Sequence, residues 1–325
     1  MSISVVMYHY IRNNEEHEYA TYCRRVSEFE AQISFLTKQF PIVNPSNKEE
    51  IEHYRNHDNK RAILLTFDDG YKDHFYCAEF LHSLDLKGAF FPPINALEGD
   101  LLDVNAIHAI IGCREANHQQ ILNDLIREIK ARSLDLILGQ STTRDIDLYV
   151  NSYQEHERMD TRNVVLIKRL LQRDIISEKA RHELCNDMIQ DSLQKSAKEV
   201  AYNLYLSVQQ ISYMYKLGMV FGSHGLTHRW LKSLSSTEQS EEITKSFAKL
   251  HALGAISGDN PCLMMCYPYG SFNDDTLSWL RSENVDYAVT TKVGECKQQD
   301  DPLQIPKWDT NDFWNTEWRR PTLPY

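Results

Sequence analysis

The sequence predicts an α/β protein: a parallel sheet, open or closed into a barrel, interrupted by a long helical segment. Three observations predict it. Short apolar, β-branched runs alternate with amphipathic helical stretches towards both ends of the chain. The links between them are short, as parallel βαβ units require. Between about residues 101 and 217 the chain turns polar, helical in period and almost free of Gly and Pro.

In order, residues 3–9 (ISVVMYH) read as a short buried strand. A helix over about 28–40 follows. Ser27 and Glu30 form its capping box, Phe29, Ile33, Leu36 and Phe40 share one face, and Pro41 stops it. Residues 62–67 (AILLTF) read as a buried strand ending in Asp68-Asp69-Gly70, then a helix to about Leu84. Gly88 leads into AFF, ending at Pro92-Pro93. The polar segment shows no sustained heptad and no internal repeat, and Gly218 caps its last helix. Residues 219–223 then read as a strand ending at His224. Ser235 and Glu238 box the start of a helix with Ile243, Phe247 and Leu250 inward and Gly254 past its end. A strand over 262–267, a helix over about 273–282 and a strand near 286–291 complete the pattern. This gives two parts: an α/β part of residues 1–100 and 218–325, and a helical insertion of residues 101–217. The insertion offers a surface for oligomerisation or for closure over a cleft.

Composition excludes several classes. In 325 residues, 35 basic side chains against 46 acidic give a formal charge of −11, and the pI is near 5.6. That argues against nucleic acid or an anionic membrane surface as the main partner. No run reaches the ~18 apolar residues of a membrane span. The N-terminus lacks the basic leader and cleavage site of a secretory signal. Seven scattered cysteines without a CxxC read as reduced thiols, so a cytoplasmic protein is expected.

Three polar clusters fall at predicted strand ends, where α/β proteins place their active sites. In Thr66-Phe67-Asp68-Asp69-Gly70-Tyr71, two adjacent carboxylates point in different directions, so one can bind a cation while the other acts as a base. An Asp-Gly turn alone is also ordinary turn chemistry. In Ser223-His224-Gly225-Leu226-Thr227-His228, two histidines four apart share one face if the segment opens a helix, and can then meet one metal. With a carboxylate from another strand end they make a facial site with open positions. Cys266-Tyr267-Pro268-Tyr269-Gly270 is a strand-ending turn whose Tyr backbone N–H can donate to an oxyanion.

TFDDGY, SHGLTH and YPYG in this order resemble the polysaccharide deacetylase family (NodB homology domain, carbohydrate esterase family four). The opening MYHYI and the later AVTT and IPKWDTND are similar to a bacterial branch found with surface-polysaccharide genes. The resemblance covers about 1–100 and 215–312. It implies a distorted (β/α) barrel holding one divalent metal ion, usually zinc. It also implies Asp68 as catalytic base, Asp69, His224 and His228 as metal ligands, and the Tyr269 N–H, in its Pro268 turn, as oxyanion donor. The implied substrate is an acylated sugar, free in an oligosaccharide or nucleotide- or lipid-linked, in glycan, lipopolysaccharide or capsule assembly. A degenerate member that only binds glycan or partner, and an O-acetyl esterase or N-deformylase, are the alternatives.

The chain departs from the family at the head of the third motif, where Cys266 stands in place of an arginine that orients the base. No late Leu-x-His motif supplies the general acid, so His9 is placed as a substitute acid or substrate contact. Trp230 and Trp308 are expected near the cleft as stacking surfaces. The late IPKWDTND is similar to a segment that usually reads IPR-x-D, so Asp309 is expected to support the site and Lys307 to stand in for that arginine, and His74 is expected to be structural.

Overall fold

Alternating apolar runs and amphipathic stretches become parallel strands joined by helices. The computed structural model describes residues 2–13, 23–56, 61–113, 117–138, 141–153, 160–172 and 175–310. The end of the IPKWDTND segment therefore lies outside the described residues. The first elements are β1 (Ser2–Tyr8), α1 (Val26–Gln39), α2 (Lys48–Asn56), β2 (Arg61–Asp68), α3 (Asp73–Ser83), β3 (Ala89–Phe91) and the single turn α4 (Ile94–Leu97). Next come α5 (Asp103–Gly112), α6 (His118–Ala131), the hairpin β4 (Leu136–Leu138) and β5 (Ser141–Thr143), α7 (Ile146–Ser152), α8 (Arg162–Gln172), α9 (Glu178–Leu193) and α10 (Ala197–Leu204). The last are α11 (Val208–Lys216), β6 (Val220–Phe221), α12 (Ser236–Ala252), β7 (Met264–Cys266), α13 (Asp274–Ser282), β8 (Tyr287–Val289) and β9 (Lys307–Asp309).

Two compact units result. One comprises Met1–Arg12, Arg24–Gly99 and Leu204–Tyr325, the other Asn13–Cys23 and Asp100–Asn203. In the second unit, α5 packs on α8 and α9 around Ile107, Ile110, Leu166, Leu170, Leu184 and Ile189, all fully buried. Asn117 and Ser177 cap α6 and α9 by accepting from backbone N–H groups of their first turns. The β4–β5 hairpin has no counterpart in the sequence reading, because its strands are three residues each and Gly139 and Gln140 leave no turn signature beyond one glycine.

The first unit carries a five-stranded parallel sheet in the order β6-β3-β2-β1-β9 and a separate parallel pair, β7–β8. Single parallel bridges link the pair to both edges of the sheet, Ser223 to Met265 on one side and Val289 to Ile305 on the other. The pair is thus linked to the sheet by single bridges rather than by full ladders, so the expected distorted barrel is represented by an open parallel sheet and a parallel pair bridged to it. Strand alternation sorts the residues into two layers. Val5, Leu64, Phe91, Met264 and Val289 fill one cluster, facing one another across the sheets. Val6, Tyr8, Leu65, Phe67, Phe90, Met265 and Tyr267 point the other way, against α1, α3, α12 and α13. There Tyr8 stacks on Phe67 at 5.3 Å and Phe67 on Phe90 at 4.4 Å, each pair contributing roughly 0.5–1.5 kcal/mol beyond its burial.

The local signals at the helix ends are mostly as read. Ser235 and Glu238 form the box of α12, Ile243, Phe247 and Leu250 are buried, and Gly254 follows with φ +68°. Gly218, at φ +87°, closes α11, its N–H reaching the Tyr215 carbonyl. At α1 the reading is corrected. The helix starts two residues early, with Glu28 rather than Glu30 accepting from the N-terminal backbone, at Arg25 N. Pairing of Arg24 with Tyr10 and Arg12 fixes extended backbone as far as Arg24, and the helix begins as soon as that pairing ends. Among the described residues no helix is long and apolar enough to cross a membrane.

Candidate metal and catalytic site

The site lies where the strands end. Alternation along β2 puts Leu64, Thr66 and Asp68 on one face. The same rule puts Met264 and Cys266 of β7, and Lys307 of β9, on the facing layer. The three polar ends meet. Lys307 Nζ lies 2.5 Å from Asp68 Oδ2 and 3.0 Å from Cys266 Sγ, and the thiol lies 3.3 Å from the same carboxylate oxygen. All three residues are 2% exposed or less. Asp68 Oδ1 is buried with no hydrogen-bond partner among the described residues. Burial alone would raise the Asp68 carboxyl, but Lys307, His224 and His9 outweigh it and hold it below the usual carboxylate range. Lys307 is held above its ordinary value, because the Asp68 carboxylate and the contact with the Cys266 sulfur overcome its burial.

Immediately after Asp68 the chain turns sharply. Asp69 and Gly70 both adopt left-handed backbone, at φ +73° and +67°. Glycine is required at the second of these, since a Cβ would sit 2.7 Å from that of Pro92. The turn swings the Asp69 carboxylate away from Asp68. Tyr71 donates to its Oδ2 at 2.6 Å and is itself stacked on Tyr10 at 4.0 Å. Asp69 Oδ1 faces His224 Nε2 at 3.2 Å and His228 Nε2 at 3.3 Å.

The two histidines are not on a helical turn, which corrects the sequence reading. Residues 224–230 are loop, and His228 itself has φ +60°. What holds the loop is Glu242 of α12, a residue 4% exposed. Its Oε2 accepts from Leu226 N at 2.8 Å and Thr227 N at 2.9 Å, and its Oε1 from the Thr227 hydroxyl. Motif reading missed Glu242. Its signal was an acid on the inward face of an amphipathic helix, beside Ile243 and between Gln239 and Ser246, all buried.

These donors fit a divalent metal ion. His224 Nδ1 lies 2.7 Å from the Cys266 carbonyl, which can only accept, so that nitrogen carries the proton. In the neutral ring, Nε2 then aims a lone pair at an anionic oxygen, with a second imidazole nitrogen beside it. A cation at the centre of the three removes that repulsion. The 3.2 and 3.3 Å separations of Asp69 Oδ1 from the two nitrogens are close to the ~3.3 Å between neighbouring ligands of a tetrahedral ion with bonds of about 2.0–2.1 Å. Without an ion, His224 is pushed well above its ordinary value, as Cys266 and Asp69 overcome its burial. Burial pulls His228 down. Asp69 is held well below the usual carboxylate range because hydrogen bonds from both rings outweigh its burial.

The other expected residues sort as follows. Tyr269, at φ +56° in the Pro268–Gly270 turn, places its ring against His228 at 4.6 Å and stacks on Trp230 at 4.4 Å. His9 Nε2 lies 4.0 Å from Asp68 Oδ2, its side chain 36% exposed. His74 is buried and contacts the His9 carbonyl through Nε2, the structural place expected of it. Asp309 lies on the Lys307 face of β9, opposite Met7. Trp308 is corrected. It pairs with Val6 and occupies the alternate face of β9, turned from the side on which Lys307 meets Asp68.

Comparison with known proteins bears on the fold and on part of the chain. The polysaccharide deacetylase family model matches residues 187–288, which contain the second and third motifs. No curated protein gave a significant match. Three solved structures share the fold over nearly their whole lengths. A Streptococcus pyogenes deacetylase, PplD, in complex with acetate is 16% identical at a TM-score of 0.54, over 95% of this chain and 92% of that one. A de-N-acetylase from Aggregatibacter actinomycetemcomitans is 13% identical at 0.54, over 97% and 98%. IcaB from Ammonifex degensii is 15% identical at 0.51, over 94% and 90%. Residues 187–288 thus match the polysaccharide deacetylase model, and the chain as a whole shares the fold of these three solved structures.

Proposed function

We propose that this protein is a divalent-metal-dependent hydrolase that removes an N-acetyl group from a sugar in glycan, lipopolysaccharide or capsule biosynthesis. The observation that carries the reading is the convergence of Asp69, His224 and His228 beside a second buried carboxylate, Asp68, with one oxygen tethered and one unpartnered. Asp69, His224 and His228 would hold one ion, zinc by their nitrogen and oxygen donors. When bound, such an ion polarises an acyl carbonyl and makes water more acidic.

The protein's own groups do the rest. Lys307 and Cys266 fix Asp68 through Oδ2, leaving Oδ1 to take the proton of the attacking water as general base. The Tyr269 backbone N–H, in the turn whose ring packs on His228, is the donor we assign to the developing oxyanion. His9, half-exposed and 4.0 Å from Asp68, delivers a proton to the departing amine. The binding-only alternative rests on the arginine replaced by Cys266. Lys307 brings a cation to the same carboxylate and takes that support away.

The test is metal content and acetate release, measured together on N-acetylated sugar donors for the wild type and His228→Ala. One equivalent of zinc and acetate release in the wild type, both lost in the variant, is the expected result. Absence of metal in zinc-supplied protein overturns the ligand assignment. Metal without release from any donor overturns the deacetylase reading in favour of binding, and hydroxyl rather than amine product makes the protein an esterase.

A further inference from the structure

Beside the set Asp69, His224 and His228, a second group of polar side chains converges: Asp68, His224 and Cys266. His224 already turns Nε2 to the first set and donates its Nδ1–H to the Cys266 carbonyl, so the carboxylate and the thiol are the donors free for a thiophilic dication there. Yet a cation is already there. The Lys307 ammonium is 2.5 Å from Asp68 Oδ2 and 3.0 Å from Cys266 Sγ, within a pocket where the lysine is 2% exposed.

We propose that Lys307 is an internal cation that fills a second metal position formed by Asp68 and Cys266 beside His224, and so keeps the site mononuclear with Asp68 free to act as a base. The inference rests on the reading of Asp69, His224 and His228 as a metal site. Its physical basis is substitution of like for like. A buried carboxylate needs a positive partner, and either an ammonium or a metal ion meets that need. A metal would take Asp68 as a ligand and remove it as a base. An ammonium satisfies one oxygen and leaves the other unpartnered, as Asp68 Oδ1 is here. Lysine can do this because its compact head on a flexible stem reaches Asp68 from β9, two strands away from β2. Lys307 is thus a positioning residue, and it selects for one ion rather than two.

The test is titration with cobalt(II), whose bonding to a thiolate gives a charge-transfer absorption in the near ultraviolet that nitrogen and oxygen ligands do not. Wild type, Lys307→Ala, Lys307→Gln and Lys307→Ala/Cys266→Ser are compared, each checked for folding by circular dichroism. The wild type is expected to bind one equivalent without the thiolate band, even in excess cobalt. The single variants are expected to bind up to two equivalents and to show the band, and the double variant to lose it. A thiolate band in the wild type overturns the proposal whether or not any variant folds. A folded Lys307 variant that binds one equivalent without the band overturns it as well. A wild type that binds no cobalt refutes instead the metal-site reading on which the proposal rests.

Discussion

Glu242 touches no reacting group, yet it should control metal affinity. It holds the loop of His224 and His228 through three acceptor contacts, to Leu226 N, Thr227 N and the Thr227 hydroxyl. In Glu242→Ala these donors lose a buried, charged acceptor. Bonds to a charged group contribute roughly 1.5–3 kcal/mol each. Leu226 and Thr227 are only half-buried, so water replaces part of the loss. A net destabilisation of about 3 kcal/mol is the estimate. Glu242→Gln keeps one acceptor but turns an amide towards a donor, and should lose about half as much.

Stability alone would not separate loop positioning from packing. The decisive quantity is the extra stability gained on adding zinc. Removing an outer partner of a metal ligand weakens affinity about 10–100-fold. At a zinc concentration of ~100 times the wild-type Kd, the wild type gains about 2.7 kcal/mol, and a variant 100-fold weaker gains about 0.4. Thermal unfolding of wild type, Glu242→Gln and Glu242→Ala, each with chelator and with zinc, reads this directly. A zinc-induced shift of equal size in all three, with only the metal-free baseline lowered, would refute the reasoning.

Other substitutions probe the remaining supports. Tyr71→Phe removes the 2.6 Å bond to Asp69 Oδ2 and should weaken zinc binding about 10-fold in competition with a chelator; unchanged affinity would deny the tyrosine that role. Gly70→Ala forces a Cβ to 2.7 Å from Pro92 Cβ in left-handed backbone, and should cost about 2–4 kcal/mol in denaturant unfolding; a loss below ~1 would show that the turn can relax. His74 donates from Nε2 to the His9 carbonyl while Nδ1 is buried without a partner, and burial lowers it to about 4. The folded protein therefore refuses a proton that the unfolded chain takes up below ~6.5, so stability falls as pH drops from there towards 4, by about 2 kcal/mol at pH 5. His74→Phe should flatten that part of the pH–stability curve relative to wild type, and parallel curves would refute the assignment.

Much of the parallel sheet was legible because its strands are buried on both faces and bounded by turn residues. AILLTF before Asp68-Asp69-Gly70 and CLMMCY before Pro268 announce both a strand and the place where its polar end emerges. The residue types that meet at the site, two carboxylates and two histidines, were legible for the same reason. What the pattern misplaced was conformation at the ligands themselves. Spacing of four suggested a helical turn for His224 and His228. The chain instead brings the rings together through a loop with His228 in left-handed backbone, a state held by contacts from α12 that lie outside the motif. Trp308 was misassigned by a related route, since composition says that a tryptophan suits a sugar but only register says which face of β9 it occupies.

The relocated cation shows why a motif read position by position understates a site. An arginine at the head of the third motif and a lysine on β9 are far apart in sequence, yet both strand ends reach the same carboxylate. Electrostatics constrains the charge that arrives at Asp68, and leaves open the strand that delivers it. Cys266 is small enough to admit the lysine, and its sulfur accepts from Lys307 Nζ at 3.0 Å. A larger cationic side chain at 266 would compete with Lys307 for the same buried space, where both residues are 2% exposed or less. The two departures therefore form one change. Restoring arginine at 266 while keeping Lys307 should crowd two cations against one carboxylate and destabilise the fold, whereas pairing Cys266→Arg with Lys307→Met should recover much of the loss in denaturant unfolding. If the double variant were no more stable than Cys266→Arg alone, the two positions would be independent and the thiol would not be the counterpart of the lysine.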